Sequence, residues 1–264
     1  MIIMNFGGGT NSTGLLVGAL ERGLRPDLVV FADTGSEMPH TYDHLTAVSA
    51  WLVSKGLAPI EVTRWVRKDG RFIALHDYCL EREELPSKAY GFSGCTTKWK
   101  QQPVDRWLKN HPVVQVEHAA GRTVERWIGY DADEPQRAAR MAEKNPEPHL
   151  WGWRAPLVEW DWGRDECVEA IQRAGLTQPG KSSCFMCPSM RKTEVEALAA
   201  RHPDKLAVAL DIERRAVAKS ALRAEPTSIK GLGRSHFAWA DVVKGLPVVQ
   251  GPSEVSCGCY DGDE

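Results

Sequence analysis

The chain has 264 residues, 42% hydrophobic and 26% charged, which is an ordinary balance for a globular protein. At roughly 150 residues per domain, this length suggests one large domain or two modest ones, with ample room for a core. Its 33 basic and 35 acidic residues leave a formal charge of −2, so bulk charge announces neither a nucleic-acid nor a membrane partner.

In chain order, residues 2–6 form a short apolar run that ends in Gly7, Gly8 and Gly9, reading as a buried strand feeding a tight loop. With no basic leader and no long apolar stretch, the sequence predicts a cytoplasmic chain without a secretory or membrane-spanning segment. Residues 10–22 carry Leu15, Leu16, Val17, Ala19 and Leu20, an apolar helix face. A strand over 27–33, a helix over 39–55 and a strand over 59–65 follow. Strand–helix–strand–helix order implies right-handed crossovers and a parallel, doubly wound sheet. Residues 66–95 lack clear periodicity and read as an excursion from the sheet. A helix is expected over 97–109, with Pro103 tolerable only near a kink or in a first turn. Strands are expected over 113–117 and 124–130. Four tryptophans and three prolines crowd residues 146–163, which suggests an ordered loop packed on the domain. Residues 164–174 read as a helix stopped by Gly175, and 189–220 as helical, before an acidic tail. There is no internal repeat.

The glycine loop lies directly before a helix. Glycines let backbone approach a ligand, the helix N-terminus offers N–H groups to an anion, and Thr10 and Ser12 add hydroxyls. It is neither a Walker A loop nor Gly-x-Gly-x-x-Gly. The seven cysteines are too few for a disulfide scaffold. Two close pairs stand out, Cys184–Cys187 and Cys257–Cys259. Two thiols three positions apart can share zinc or an iron–sulfur cluster, or act as a redox dithiol. Cys79 and Cys167 read as buried core thiols. Residues 181–244 hold twelve Lys and Arg against seven Asp and Glu, a local basic excess that suits a phosphate or a nucleic-acid backbone.

Gly7, Gly8, Gly9, Thr10, Asn11 and Ser12 together resemble the pyrophosphate loop of the N-type ATP pyrophosphatases. Its usual form is Ser-Gly-Gly-x-Asp-Ser, with Gly7 here at the first serine and Asn11 at the aspartate. Asp33-Thr34-Gly35 resembles the Asp-Thr-Gly turn of the phosphoadenosine phosphosulfate (PAPS) reductase branch. The segment from Gly129 through Asp133 and Glu134 to Arg137 resembles that branch's later Gly-x-x-x-x-Asp-Glu…Arg element. Cys95, in Ser93-Gly-Cys-Thr-Thr-Lys-Trp-Lys-Gln-Gln-Pro103, resembles the family's cysteine–basic–proline segment, with Thr96 where cluster-containing members carry a second cysteine.

The resemblance implies a Rossmann-like, adenine nucleotide alpha-hydrolase-like α/β sheet over 1–190, with a mainly helical C-terminal part over 191–264. It implies ATP or a PAPS-type nucleotide on Gly7–Ser12, Asp33–Gly35 and Asp133, Glu134 and Arg137. It further implies Mg2+, and a [4Fe–4S] cluster on Cys95, Cys184 and Cys187, with zinc as the alternative. Asn11 removes a charge that would help hold magnesium. The leading implied activity is ATP-dependent sulfur or nucleotidyl transfer to an acceptor of nucleic-acid type, fed by a sulfur donor. One alternative is reduction of PAPS or adenylylsulfate to sulfite, with Cys257 as nucleophile and a thioredoxin-like reductant. Another is a non-catalytic nucleotide-binding module.

Overall fold

The computed structural model describes residues 1–143, 145, 147–222, 230–233 and 237–246. Five strands build one sheet: β1 (Ile2–Phe6), β2 (Leu28–Asp33), β3 (Glu61–Arg64), β4 (Val124–Ile128) and β5 (Trp151–Arg154). Their order is β3-β2-β1-β4-β5. β1 pairs in parallel with β2 and with β4, and β4 in parallel with β5. In chain order the helices are α1 (Thr10–Glu21), α2 (Pro39–Ser54), α3 (Leu75–Arg82), α4 (Gly94–Thr96), α5 (Gln102–Asn110) and α6 (Pro112–Ala119). There follow α7 (Pro135–Glu143), α8 (Pro156–Glu159), α9 (Arg164–Arg173), α10 (Lys192–Arg201), α11 (Pro203–Ala221) and α12 (Trp239–Val243). No described helix is long and apolar enough to cross a membrane. The expected doubly wound α/β fold is present.

The chain makes two compact units. The first comprises Met1–Ala32, Met38–Thr63 and Pro103–Ser182; the second comprises Asp33–Glu37, Arg64–Gln102 and the chain from Ser183. In the first unit, alternate strand residues feed opposite faces of the sheet. Met4, Phe6, Val29 and Phe31 pack with Leu15, Leu16, Val48, Leu52 and Cys167 from α1, α2 and α9. Ile3, Val30 and Val124 pack with Val104, Leu108 and Val114 from α5 and α6. Both faces are therefore covered, which is why these strands read as continuous apolar runs.

Two expectations are corrected. Residues 113–117 are helical rather than extended, within α6. His111 caps this helix and Pro112 occupies its first turn, where the fixed proline φ suits a helix and the missing N–H costs nothing. A short β-branched run cannot by itself separate a strand from a helix, and burial of Val114 alone on the sheet decided for the helix. Within 146–163, Trp151–Arg154 is an edge strand on β4, and α8 follows it. Pro103 is met as the sequence required: a π-helical turn over Thr97–Gln101 lies just before it. The stretch 189–220 is helical but breaks at His202–Pro203 into α10 and α11.

Candidate functional site

In the first unit, β1 is flanked by β2 on one side and β4 on the other, so the sheet reverses its winding between β1 and β4. In open α/β sheets, the crevice outside the carboxyl ends of strands at such a point is where ligands bind. Two turns border it here: Gly7–Gly9 after β1, and Gly129–Asp133 after β4.

The first turn is shaped by its glycines. Gly8 has φ +75°, and a Cβ there would lie 3.0 Å from Thr41 Cγ2; a larger residue would be strained and crowded. Gly9 caps α1 and has no side chain to occupy the first-turn N–H groups. The α1 first turn has no acidic residue of its own, so no charge within the helix offsets its positive end. Ser12 does not face outward alone: its Oγ accepts from Gly9 N–H at 3.2 Å and donates to Gly9 O at 3.0 Å. Thr13 Oγ1 also donates to Gly9 O, at 2.9 Å, and lies 2.8 Å from His44 Nε2. The single hydroxyl hydrogen of Thr13 is thus spent on Gly9, which leaves His44 Nε2–H as the donor. Burial, with a smaller contribution from His40, brings the His44 imidazole down to about 4, so it is neutral near pH 7. The Ser182 hydroxyl donates to Gly7 O. These bonds fix the loop from inside.

At the second turn, Gly129 brings β4 against the start of α1. A Cβ on Gly129 would sit 3.0 Å from Ser12 N. Asn11 Nδ2 donates to Asp131 Oδ2 at 2.6 Å. Asp131 is 5% exposed, and burial, added to by Glu134 and Asp133, raises its carboxyl above the usual range against the Asn11 hydrogen bond. Of the residues carried over from the resemblance, Asp133 is exposed. Glu134 and Arg137 form an ion pair at 2.5 Å, with the Arg137 guanidinium 4.5 Å from the Tyr130 ring centroid. Gly129 opens the segment that the sequence resemblance marks, whereas Asp131, Thr13 and His44 were not singled out from sequence. Asp131 does stand in the turn just after a strand, which is a usable signal; Thr13 and His44 give none.

The Asp33–Gly35 turn lies in the second unit, with Cys79, Cys95, Cys184 and Cys187. Asp33 Oδ1 accepts from Gly35 N–H at 2.7 Å, and Asp33 Oδ2 accepts from Arg64 Nε at 2.8 Å. Thr34 Oγ1 donates to Glu37 Oε1 at 3.1 Å and lies 3.2 Å from Cys184 Sγ. Glu37 and Cys184 form an antiparallel bridge, while Lys100 Nζ lies 2.9 Å from Glu37 Oε1. Cys187 follows on the same turn, its N–H donating to Cys184 O at 3.0 Å. Burial pushes the Cys184 thiol well above its ordinary value, Glu37 adds to this, and Lys100 opposes it. Burial works against charge on Lys100, but Glu37 and Cys184 outweigh it and hold the ammonium above its ordinary value.

Cys95 lies on α4, where its N–H donates to Ser87 Oγ at 2.7 Å, and its thiol acts on Cys79. Burial first, then Cys95, pushes Cys79 up to about 12. Cys79 and Cys167 are buried, as expected of core thiols, and the five described cysteines are unbridged. Among the described residues, no three His, Cys, Asp or Glu side chains converge as a metal site. As placed, then, Cys95, Cys184 and Cys187 do not form a cluster cradle. Cys257 and Cys259 lie outside the described residues.

No family model matches this chain, and no curated protein sequence does. Among solved structures, it is similar to the U34-tRNA thiolase NcsA from Methanococcus maripaludis with its [4Fe-4S] cluster. That match has a TM-score of 0.41 and 17% identity, and covers 81% of this chain and 71% of that one.

Proposed function

We propose that this chain is a pyrophosphate-loop enzyme that spends ATP to activate an acceptor for sulfur transfer. The observation that carries the reading is the Gly7–Ser12 turn. It opens α1 at the point where the sheet reverses, which suits an anion bound by backbone N–H groups. The rest follows from the resemblance of Gly7–Ser12, Asp33–Gly35 and Gly129–Arg137 to that family.

The α1 N-terminus would hold the β- and γ-phosphates, and Gly8 and Gly9 would let the backbone approach them. An acceptor oxygen attacks the α-phosphorus, the α–β bond breaks, and pyrophosphate leaves. The acceptor carries AMP on that oxygen until a sulfur nucleophile from a donor displaces it. Activation is needed because an amide-type oxygen is a poor leaving group until it becomes a phosphate ester. The basic excess over 181–244 supports a nucleic-acid acceptor. A [4Fe–4S] cluster on Cys95, Cys184 and Cys187 belongs to this reading and requires the three thiols, which do not converge as placed, to come together.

The test is to incubate the full chain with ATP and bulk RNA and to separate the products. AMP and pyrophosphate in equal amounts, dependent on RNA, are expected. ADP and phosphate would mean cleavage at the wrong bond and overturn the reading. Anaerobic purification with iron, sulfide and zinc quantitation tests the cluster: about four irons are expected, whereas stoichiometric zinc without iron reduces the Cys184 turn to a structural clip.

A further inference from the structure

We infer that the carboxylate missing from position 11 is carried by Asp131, and that Asn11 and Asp131 form the protein side of a divalent-cation site of the Mg2+ or Mn2+ class beside the α1 N-terminus. The inference rests on the nucleotide reading above, because the phosphates supply the rest of the site.

The geometry is specific. Asn11 Nδ2 donates to Asp131 Oδ2 at 2.6 Å, which fixes the amide orientation, since only its nitrogen can donate to a carboxylate. The amide oxygen is therefore turned away from that bond. Asn11 Oδ1 and Asp131 Oδ1 are both buried without a hydrogen-bond partner. A buried oxygen of this kind is costly unless something occupies it. Asp131 is 5% exposed, and the charged groups acting on it, Glu134 and Asp133, share its sign. The site thus holds a buried carboxylate beside two further acidic groups, and two buried oxygens that no hydrogen bond satisfies.

The donor chemistry selects the ligand. An amide oxygen and a carboxylate oxygen are hard donors, suited to Mg2+ or Mn2+ rather than to thiol-seeking metals. Mg2+ commonly binds through one or two carboxylates, keeping waters and substrate phosphates as its other ligands. That fits a pair which, among the described residues, no further acid joins as a metal-binding group. It also explains why position 11 is an asparagine. A second carboxylate 2.6 Å from Asp131 would force the two to share a proton, whereas the amide donates a hydrogen bond and leaves one charge.

The test titrates metal-free full-length chain with Mn2+, reading free Mn2+ by electron paramagnetic resonance, with and without an ATP analogue non-hydrolysable at the α–β bridge. Wild type should bind Mn2+ more tightly with the analogue present. D131N should weaken Mn2+ by about tenfold or more. N11D/D131N, which moves the carboxylate back to position 11, should return to near wild-type affinity. Wild-type affinity in D131N overturns the inference, as does an N11D/D131N variant no better than D131N. Analogue binding is measured separately in EDTA. If the analogue never binds, the nucleotide reading fails; Mn2+ lost in D131N and regained in the double variant would still uphold the cation site. Should the variants misfold, Fe2+ with ascorbate and peroxide on the wild type gives a second measurement. Backbone cuts near residues 11 and 131 support the site, and cuts only elsewhere overturn it.

Discussion

A Cβ added at Gly129 would meet Ser12 N at 3.0 Å and Asn11 C and Ser12 Cα at 3.1 Å, backbone atoms that cannot swing aside as a side chain would. The Gly129→Ala variant must therefore push β4 and the α1 N-terminus apart. We expect it to cost about 1–3 kcal/mol, the usual range for overpacking, and to lower nucleotide affinity, both measurable by denaturant melts and calorimetry. Gly152→Ala is the control, since its Cβ would rest 3.5 Å from Thr123 Cγ2, an ordinary contact; equal losses in both variants would remove the argument. His44 gives a pH prediction. Its folded value of about 4 lies below the ordinary 6.5, so the unfolded chain takes up a proton first as pH falls. Its contribution is intact above pH 6.5 and is lost between 6.5 and about 4, up to about 3 kcal/mol by linkage. Thermal midpoints over that window should fall less steeply in His44→Gln, and an unchanged slope would rule His44 out. The Gly7–Ser12 frame was legible because every residue in it is local. Asp131 was not, because its meaning depends on Asn11, 120 positions away.

Elements were legible where their periodicity had one outcome. β1, β2 and α1 read correctly because their apolar residues fill both faces of one sheet. α6 did not, because a β-branched run after a proline serves a helix as well as a strand. β5 was hidden among tryptophans and prolines, a composition that resembles a loop. The second unit contains a device that no pattern shows. Glu213, 4% exposed, accepts three backbone hydrogen bonds: Leu232 N–H at 2.6 Å, Trp239 N–H at 2.8 Å and Ala240 N–H at 2.9 Å. One side chain of α11 thus serves the start of α12 and the segment before it. Glu213→Gln keeps the shape but turns one acceptor into a donor facing an N–H. Charge-assisted bonds are worth about 1.5–3 kcal/mol each, so we expect a loss of about 2 kcal/mol or more and faster amide exchange at 239–240. Protection unchanged at those amides would contradict this.

At the scale of the whole molecule, each unit is assembled from segments far apart in sequence, and the consequences of that can be measured. The motifs end near residue 190, yet the second unit takes Arg64–Gln102 from the middle of the chain and everything from Ser183 on. Its helices α10 and α11 bury Val195, Leu198, Leu206 and Ile212, and α11 packs on α3, whose Leu75 and Cys79 are themselves buried. Burying one such aliphatic side chain is worth about 1.5–3 kcal/mol, so four of them exceed what a marginal unit can lose. The first unit, by contrast, completes both sheet faces with residues no later than Leu176. A fragment of residues 1–190 should therefore keep slow amide exchange in β1 and β4 while α3 exchanges freely. If α3 stays protected in the fragment, the C-terminal helices do not support it. The sequence pattern showed where the sheet lies because each strand declares its own burial. It was silent on the second unit because the packing of α11 on α3 joins residues more than a hundred positions apart in the chain.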